Sequence, residues 1–245
     1  MTLRWFFALI SLAFAVPSMA EPTAVTVRVI ATDAKFIGTS MGGVRVVLRE
    51  VASGKVLAQG VTAGGTGDTP KIMQAQGRSP MRAGEGVAAF TTTIDLSVPT
   101  LIAATIEGPL GHPGSQLSAT QQRWIMPGKP VTEGDGWVIE LPGLVITPQA
   151  AREDGKVAVS AKVELMCGCP ITPGGLWDAA DYAVQATLWQ GGRQVAAADL
   201  AFVTAPGGYK GEIALPDKGA YRLVLFARNV RTGNSGLSEV QLSGD

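Results

Sequence analysis

Two cysteines separated by one glycine, in the run Leu165, Met166, Cys167, Gly168, Cys169, Pro170, are the only thiols of the chain. Such a pair offers three chemistries. The first is a local disulfide, or a buried thiol pair, that shapes a turn: paired cysteines of exported chains oxidise, and so small a ring removes little unfolded-chain entropy. The second is a soft-metal site, in which the thiolates of Cys167 and Cys169 and the thioether of Met166 suit Cu(I). The third is thiol–disulfide exchange, with no neighbouring Lys, Arg or His in sequence to lower a thiol pKa. In a regular strand the two cysteines share one face with Cα atoms roughly 6.5–7 Å apart, at or beyond disulfide reach. A bond between them therefore requires a bend, which Gly168 permits and Pro170 follows by ending regular pairing. Met166 has the opposite parity and would join a metal only if the same bend turned it round.

The remaining candidates are weaker in chemistry. His112, the only histidine, stands between Gly111 and Pro113 in a turn context, which excludes any two-histidine zinc motif. The run Gly64, Gly65, Thr66, Gly67, Asp68, Thr69, Pro70, Lys71 fails as a phosphate loop, because Pro70 replaces the glycine before Lys71 and Ile72 replaces the Ser or Thr. Residues 63–86 nonetheless form a long stretch without periodicity, carrying Asp68, Lys71, Arg78 and Arg82, and are the expected place to grip an anionic ligand or partner. Trp124, Trp137, Trp177 and Trp189 read either as core and rim residues or as a carbohydrate platform. Among them Trp177, between Gly174, Gly175 and Asp178, is the one expected at the surface. The acids Asp178 with Asp181, and Glu153 with Asp154, lie in loop contexts where no pairing distance follows from spacing. Acid, base and nucleophile are nowhere assembled, so the expectation is a non-enzymatic protein with no cofactor, Cu(I) being the alternative.

These residues must be positioned by strands. The first twenty residues hold Arg4, an apolar run over 5–16, Pro17 and the small-residue pattern Ser18, Met19, Ala20. This is the layout of a cleavable export signal, too short to span a membrane comfortably, and it predicts a periplasmic or secreted protein with no membrane insertion after cleavage. The whole chain has 20 basic and 20 acidic side chains; loss of Arg4 leaves the mature part at a net charge of about −1, which steers it to neither nucleic acid nor an anionic membrane. Thirty-one glycines and 15 prolines without a long helical pattern favour an all-β chain with many turns.

Val25, Val27 and Val29 alternate with polar neighbours as a half-buried strand does. Residues 43–62 read as a hairpin through Ser53, Gly54 and Lys55. Further strands are expected at 87–96, 100–106, 116–125 and 137–146, which completes roughly seven, the content of one sandwich. Residues 147–156 lose the apolar alternation. After them strands are expected at 157–165, 182–189, 193–203, 209–215, 220–227 and 237–242, with Gly191 and Gly192 as a hairpin turn and Tyr221 as a corner tyrosine. The expected organisation is therefore a signal peptide over 1–20, a sandwich over 21–147, a linker over 148–156 and a second antiparallel sandwich over 157–245.

The segment Gly43, Val44, Arg45, Val46, Val47, Leu48, with Ser53, Gly54, Lys55, Val56, Leu57, Ala58, Gln59, Gly60, Val61 and Thr62, resembles the opening hairpin of transthyretin-like or carboxypeptidase-regulatory-like sandwich domains. The end of the chain, Gly219, Ala220, Tyr221, Arg222, Leu223, Val224, Leu225, Phe226, Ala227 with Thr232, Gly233 and Asn234, is similar to the last two strands of bacterial immunoglobulin-like domains. These resemblances imply two tandem β-sandwiches and a ligand-binding, adhesive or scaffolding role. A further likeness, to small exported sandwich domains of copper handling, implies a metallochaperone, but the chain lacks their His and Met clusters. The expectation is thus an exported accessory protein that binds an envelope protein or small ligand through residues 63–86 and 167–177, with copper handling through Met166, Cys167 and Cys169 as the alternative.

Overall fold

The structure is a computed structural model that describes residues 19–244. The expected export signal lies almost wholly outside the described residues, and the first strand begins at Glu21. No helix among the described residues is long and apolar enough to cross a membrane.

Strand β1 (Glu21–Ala31) carries the valine alternation at its centre, with Val25, Val27 and Val29 all buried. It pairs antiparallel with β4 (Phe90–Leu96) and parallel with β7 (Trp137–Leu141), where Val27 lies opposite Trp137. The parallel pair departs from an all-antiparallel arrangement. A second sheet has the order β3 (Val56–Val61), β2 (Arg45–Glu50), β5 (Thr100–Gly108) and β6 (Leu117–Ile125). Val46, Leu48, Ile102, Ala104 and Ile106 on its inner face pack toward Val25, Val27, Ile94, Leu96, Ile139 and Leu141 of the first sheet. Burying such side chains contributes roughly 1.5–3 kcal/mol each.

β1 is buried on its other face too. Ile30 joins Phe36, Ile72 and Val87 in a small separate core, and Thr26 shares a 3.0 Å hydrogen bond with Thr91. Residues 63–86 supply that cover, which is why they fold compactly without an extended strand of their own.

The second half has seven strands: β8 (Leu144–Glu153), β9 (Lys156–Leu165), β10 (Tyr182–Gln190), β11 (Arg193–Thr204), β12 (Gly208–Ala214), β13 (Tyr221–Asn229) and β14 (Ser235–Leu242). Their order is β14-β13-β10-β11-β12-β9-β8. β11 pairs with β10 over its first part and with β12 near its end, so the sheet folds on itself there and encloses Val157, Val163, Leu188, Leu200, Tyr209, Leu223 and Leu225. Gly236 of β14 sits against the Leu144 carbonyl of β8, which brings the two edge strands together. Tyr221 fulfils the corner pattern: its hydroxyl donates to Asp217 O at 2.8 Å and accepts from Asp217 N at 3.2 Å. Tyr209, buried beside Phe202 with ring centroids 5.5 Å apart, has a hydroxyl without a protein partner among the described residues. Burial pushes its pKa up to about 12.

Two expectations about boundaries are corrected. The run 137–146 is two strands, β7 and β8, which belong to different halves and are separated by Pro142 and Gly143. Residues 148–156 are no linker: they continue β8, turn at Asp154 and Gly155, and enter β9, with Ala151 opposite Ala158 and Glu153 opposite Lys156. The apolar alternation fades here because β8 is an edge strand paired through alanines, and an edge also tolerates Pro148. The halves therefore meet across two residues. One continuous set of buried side chains runs through both, from Val25 to Leu242.

Candidate functional site

The Cys-Gly-Cys turn lies where the halves meet. After Leu165 the chain reverses: Gly168 N donates to Leu165 O at 2.8 Å, Leu165 N donates to Cys169 O at 3.4 Å, and Pro170 pairs back against Glu164. Gly168 has φ +74°, the left-handed conformation that favours glycine. The bend brings the cysteine Cα atoms to 5.3 Å, and the two sulfurs are joined as a disulfide. Both residues are buried, at 2% and 4% exposure.

The Met166 side chain is fully buried and packs on Gly143, beside Leu117. The thioether that approaches the turn is Met41, from the 3-10 turn Thr39–Met41 of the first half; a Cβ on Gly168 would lie 2.7 Å from its Sδ. The three-ligand set Met166, Cys167 and Cys169 is therefore corrected at the cysteines: both thiols are consumed by their mutual bond.

The loop beyond the disulfide is also structural. Thr172 N donates to Trp177 O at 3.0 Å, and Asp178 Oδ1 accepts from Gly174 N at 3.0 Å and Ala180 N at 3.1 Å. The amides of Ala180 and then Gly174 hold the Asp178 carboxyl below the usual range. Trp177, expected at the surface, is half-buried against the main core, and its indole N–H donates to Asp33 O at 2.8 Å. Asp33 has φ +60°, an uncommon conformation for a non-glycine residue that aspartate adopts more readily than most.

Two further side chains tie the halves. Asn234, between β13 and β14, accepts from Gly143 N at 2.7 Å and donates to Gly143 O at 3.2 Å and Thr32 O at 3.3 Å. Ser115 Oγ accepts from Ile146 N at 3.0 Å and donates to Ile146 O at 3.4 Å. Buried backbone groups need such partners. Sequence reasoning missed Met41, Asp33, Asn234 and Ser115, because each acts on a residue distant in the chain and none carries a local motif.

Residues 63–86 hold themselves down with the groups expected to grip a ligand. Asp68 caps the short helix α1 (Thr69–Met73), accepting from Lys71 N at 2.7 Å. Lys71 Nζ donates to Ala83 O at 2.7 Å. The amides of Arg82 and Ala83 donate to the Asp135 carboxylate at 2.7 and 2.8 Å, while Arg28 Nη1 donates to Asp135 O at 2.9 Å. Among the described residues Arg78 is exposed without a partner, and Arg82 is tied down through its backbone amide while its buried Nε has no partner. The site residues thus fall into two places, the turn at Cys167, Cys169 and Trp177, and the lobe with Asp68, Lys71, Arg78 and Arg82.

Of the tryptophans, Trp137 is core, with its indole hydrogen-bonded to Gln121, and Trp189 is half-buried under the Arg222 guanidinium at 5.7 Å. Trp124 on β6 is 66% exposed. It lies opposite Leu101 and on the same outer sheet face as Thr105, Thr120 and Gln122, with the exposed Val51 bonded to Leu101 O. An aromatic ring beside hydroxyls and amides can stack and hydrogen-bond a partner; it supplies no acid, base or nucleophile. Shallow grooves of about 490 Å³ beside Ser160 and Glu212, and about 810 Å³ beside Phe226, likewise lie on outer sheet faces. No group of three or more His, Cys, Asp or Glu fit for a metal occurs among the described residues.

Fold and joint together define an all-β protein of two sandwiches clamped around a buried disulfide turn. No family model matches the chain, and no curated protein does. Among solved structures it is similar to a DUF3823 family protein from Bacteroides ovatus, at 10% identity and a TM-score of 0.34, covering 90% of this chain and 98% of that one. It is also similar to the chicken interferon gamma receptor alpha chain, at 12% identity and a TM-score of 0.34, covering 93% and 98%. A tip fimbrial protein from Porphyromonas gingivalis follows at 9% identity and a TM-score of 0.29, covering 90% and 81%.

Proposed function

We propose that this chain is an exported, non-enzymatic binding protein that acts as one rigid body and meets its partner on an outer sheet face. The observation that carries the reading is the exposure of Trp124, while the thiols, Trp177, Asp68, Lys71 and the Arg82 amide are spent on internal contacts. A large aromatic on a rigid strand gives contact area at little entropic cost, and tryptophan is enriched among residues that dominate binding energies. Periplasmic or secreted placement, and kinship of the first sandwich with transthyretin-like modules, belong to the same proposal and rest on the residues quoted above.

The copper alternative takes a different form in this geometry. Cu(I) binding at Cys167 and Cys169 would first require reduction of their disulfide and opening of a buried joint, and the neighbouring thioether would be Met41 rather than Met166.

The test is retention of an envelope partner by the immobilised mature protein. Trp124→Ala should lower retention at least tenfold, the loss of roughly 1.4 kcal/mol or more, with an unchanged melting temperature, whereas Arg78→Ala should leave it intact. Retention that survives Trp124→Ala and fails with Arg78→Ala would return the function to the 63–86 lobe.

A further inference from the structure

Four buried side-chain atoms lack a protein partner among the described residues: the hydroxyls of Tyr182 and Tyr209, and the Nε atoms of Arg28 and Arg82. The hydroxyls are neutral and belong to the second sandwich. The two Nε atoms are charged donors of the first sandwich, and both arginines bond to Asp135. Arg28 lies between Thr26 and Ile30 on the face of β1 that residues 63–86 cover, in register with Val138 of β7. Ala83, next to Arg82, packs on the same small core as Val138. One patch therefore carries both side chains, each half-buried.

The protein does not answer their charge. Asp135 directs its two carboxylate oxygens at the amides of Arg82 and Ala83, at 2.7 and 2.8 Å, and offers Arg28 Nη1 only its main-chain carbonyl. Neither guanidinium has a carboxylate within ion-pair distance among the described residues. Lys71 Nζ brings a third cation to this segment, 2.7 Å from Ala83 O, and Asp68 is turned to the Lys71 amide. A buried donor left unpaired costs more than a hydrogen bond contributes, and a charged one costs more again. Native proteins hold few such atoms, and each calls for a partner.

The edge of a guanidinium that carries Nε–H and an Nη–H presents two parallel donors matched to the oxygens of an oxyanion. Arg28 is fixed through Nη1 and has Nε unused. Arg82 has no side-chain hydrogen bond among the described residues, so its guanidinium is free to turn onto a group entering from the half-exposed side. We propose that Arg28 and Arg82 form a binding site for a phosphate group, with Lys71 adding to the positive field. Two uncompensated guanidiniums favour a doubly charged group over a carboxylate, and a phosphate monoester carries roughly −1.5 to −2 at neutral pH. The site lies on the outer side of the first sheet, whereas Trp124 lies on the second. It goes beyond the proposed binding role and does not depend on it.

Isothermal titration calorimetry of the mature protein in a low-chloride amine buffer tests the site, with inorganic phosphate and glycerol phosphate as separate probes. One equivalent of phosphate should bind saturably, and acetate should bind at least tenfold more weakly. Tighter binding of inorganic phosphate assigns the site to the free ion, and tighter binding of glycerol phosphate assigns it to a phosphomonoester. Arg82→Gln and Arg28→Lys should each weaken binding at least tenfold; the second keeps the charge and loses the guanidinium edge. Arg78→Gln removes the same charge from an exposed position of the same lobe and should bind as the wild type does. Without phosphate, Arg82→Met should melt no lower than the wild type, because it removes an unpartnered buried donor. No saturable heat with either probe would leave water as the partner of the two Nε atoms and overturns the proposal, as does equal weakening in Arg78→Gln. An Arg82→Met variant that melts below the wild type would make this arginine structural and overturns it as well.

Discussion

Asn234→Ala should destabilise the mature protein by about 3 kcal/mol, because it strips three hydrogen bonds from a buried side chain and leaves the Gly143 amide without a partner. The effect exceeds that of an ordinary surface substitution because Gly143 is the residue at which the chain passes from one sandwich to the other. Its φ of +130° and the packing of Met166 and Leu117 on it leave the backbone no room to move toward a new partner. Asn234→Asp is the informative companion. It keeps an acceptor for Gly143 N but turns the amide that served Gly143 O and Thr32 O into a second acceptor, so it should be no better than alanine at neutral pH. Urea unfolding followed by tryptophan fluorescence measures both; a change under about 1 kcal/mol for the alanine variant would remove Asn234 from the joint.

Trp177→Ala should cost a similar amount, about 2–4 kcal/mol, at the lower side of the range for a buried tryptophan because the ring is only half-buried. Two contributions are separable. The ring packs against the core beside the disulfide turn, and the indole N–H holds Asp33 O at 2.8 Å across the halves. Trp177→Phe retains most of the packing and gives up the hydrogen bond, so it should cost about 1 kcal/mol. A phenylalanine variant as damaged as the alanine one would mean that the hydrogen bond, rather than the ring, carries the clasp. Wild-type stability in the alanine variant would leave Trp177 free for the surface role its glycine-rich surroundings suggest.

The strands were legible wherever one face is buried and the other wet. The valines of β1, the hairpin at 43–62 and the alternating run of β9 all declared themselves, because period-two burial leaves a period-two sequence. The signal failed where that condition fails. β8 pairs through alanines at an edge, so 148–156 looked like a linker, and the 137–146 run hid a change of sheet at Pro142 and Gly143. Residues 63–86 looked unstructured because their order comes from distant groups: the Asp135 carboxylate, the Ala83 carbonyl reached by Lys71, and the face of β1 that carries Ile30.

The cysteine turn divides in the same way. Its need for a bend, the role of Gly168 and the stop at Pro170 follow from local chain geometry, and the 5.3 Å Cα separation agrees with that reading. What the turn rests against does not. Met41, more than a hundred residues earlier in the chain, and Trp177 with Asp33 become neighbours only when two sandwiches close on each other, and residue type alone made Met166 the expected thioether. The fold uses the side chains most capable of chemistry as fastenings.

The two sandwiches form one cooperative body clamped at the disulfide turn. Scanning calorimetry of the mature wild-type protein reads that cooperativity. One endothermic transition with equal calorimetric and van't Hoff enthalpies is predicted, since a continuous core and the Asn234 and Trp177 ties leave neither half complete alone. Two resolved transitions, each with the enthalpy of about half the chain, would contradict it and make the turn a feature of one sandwich only.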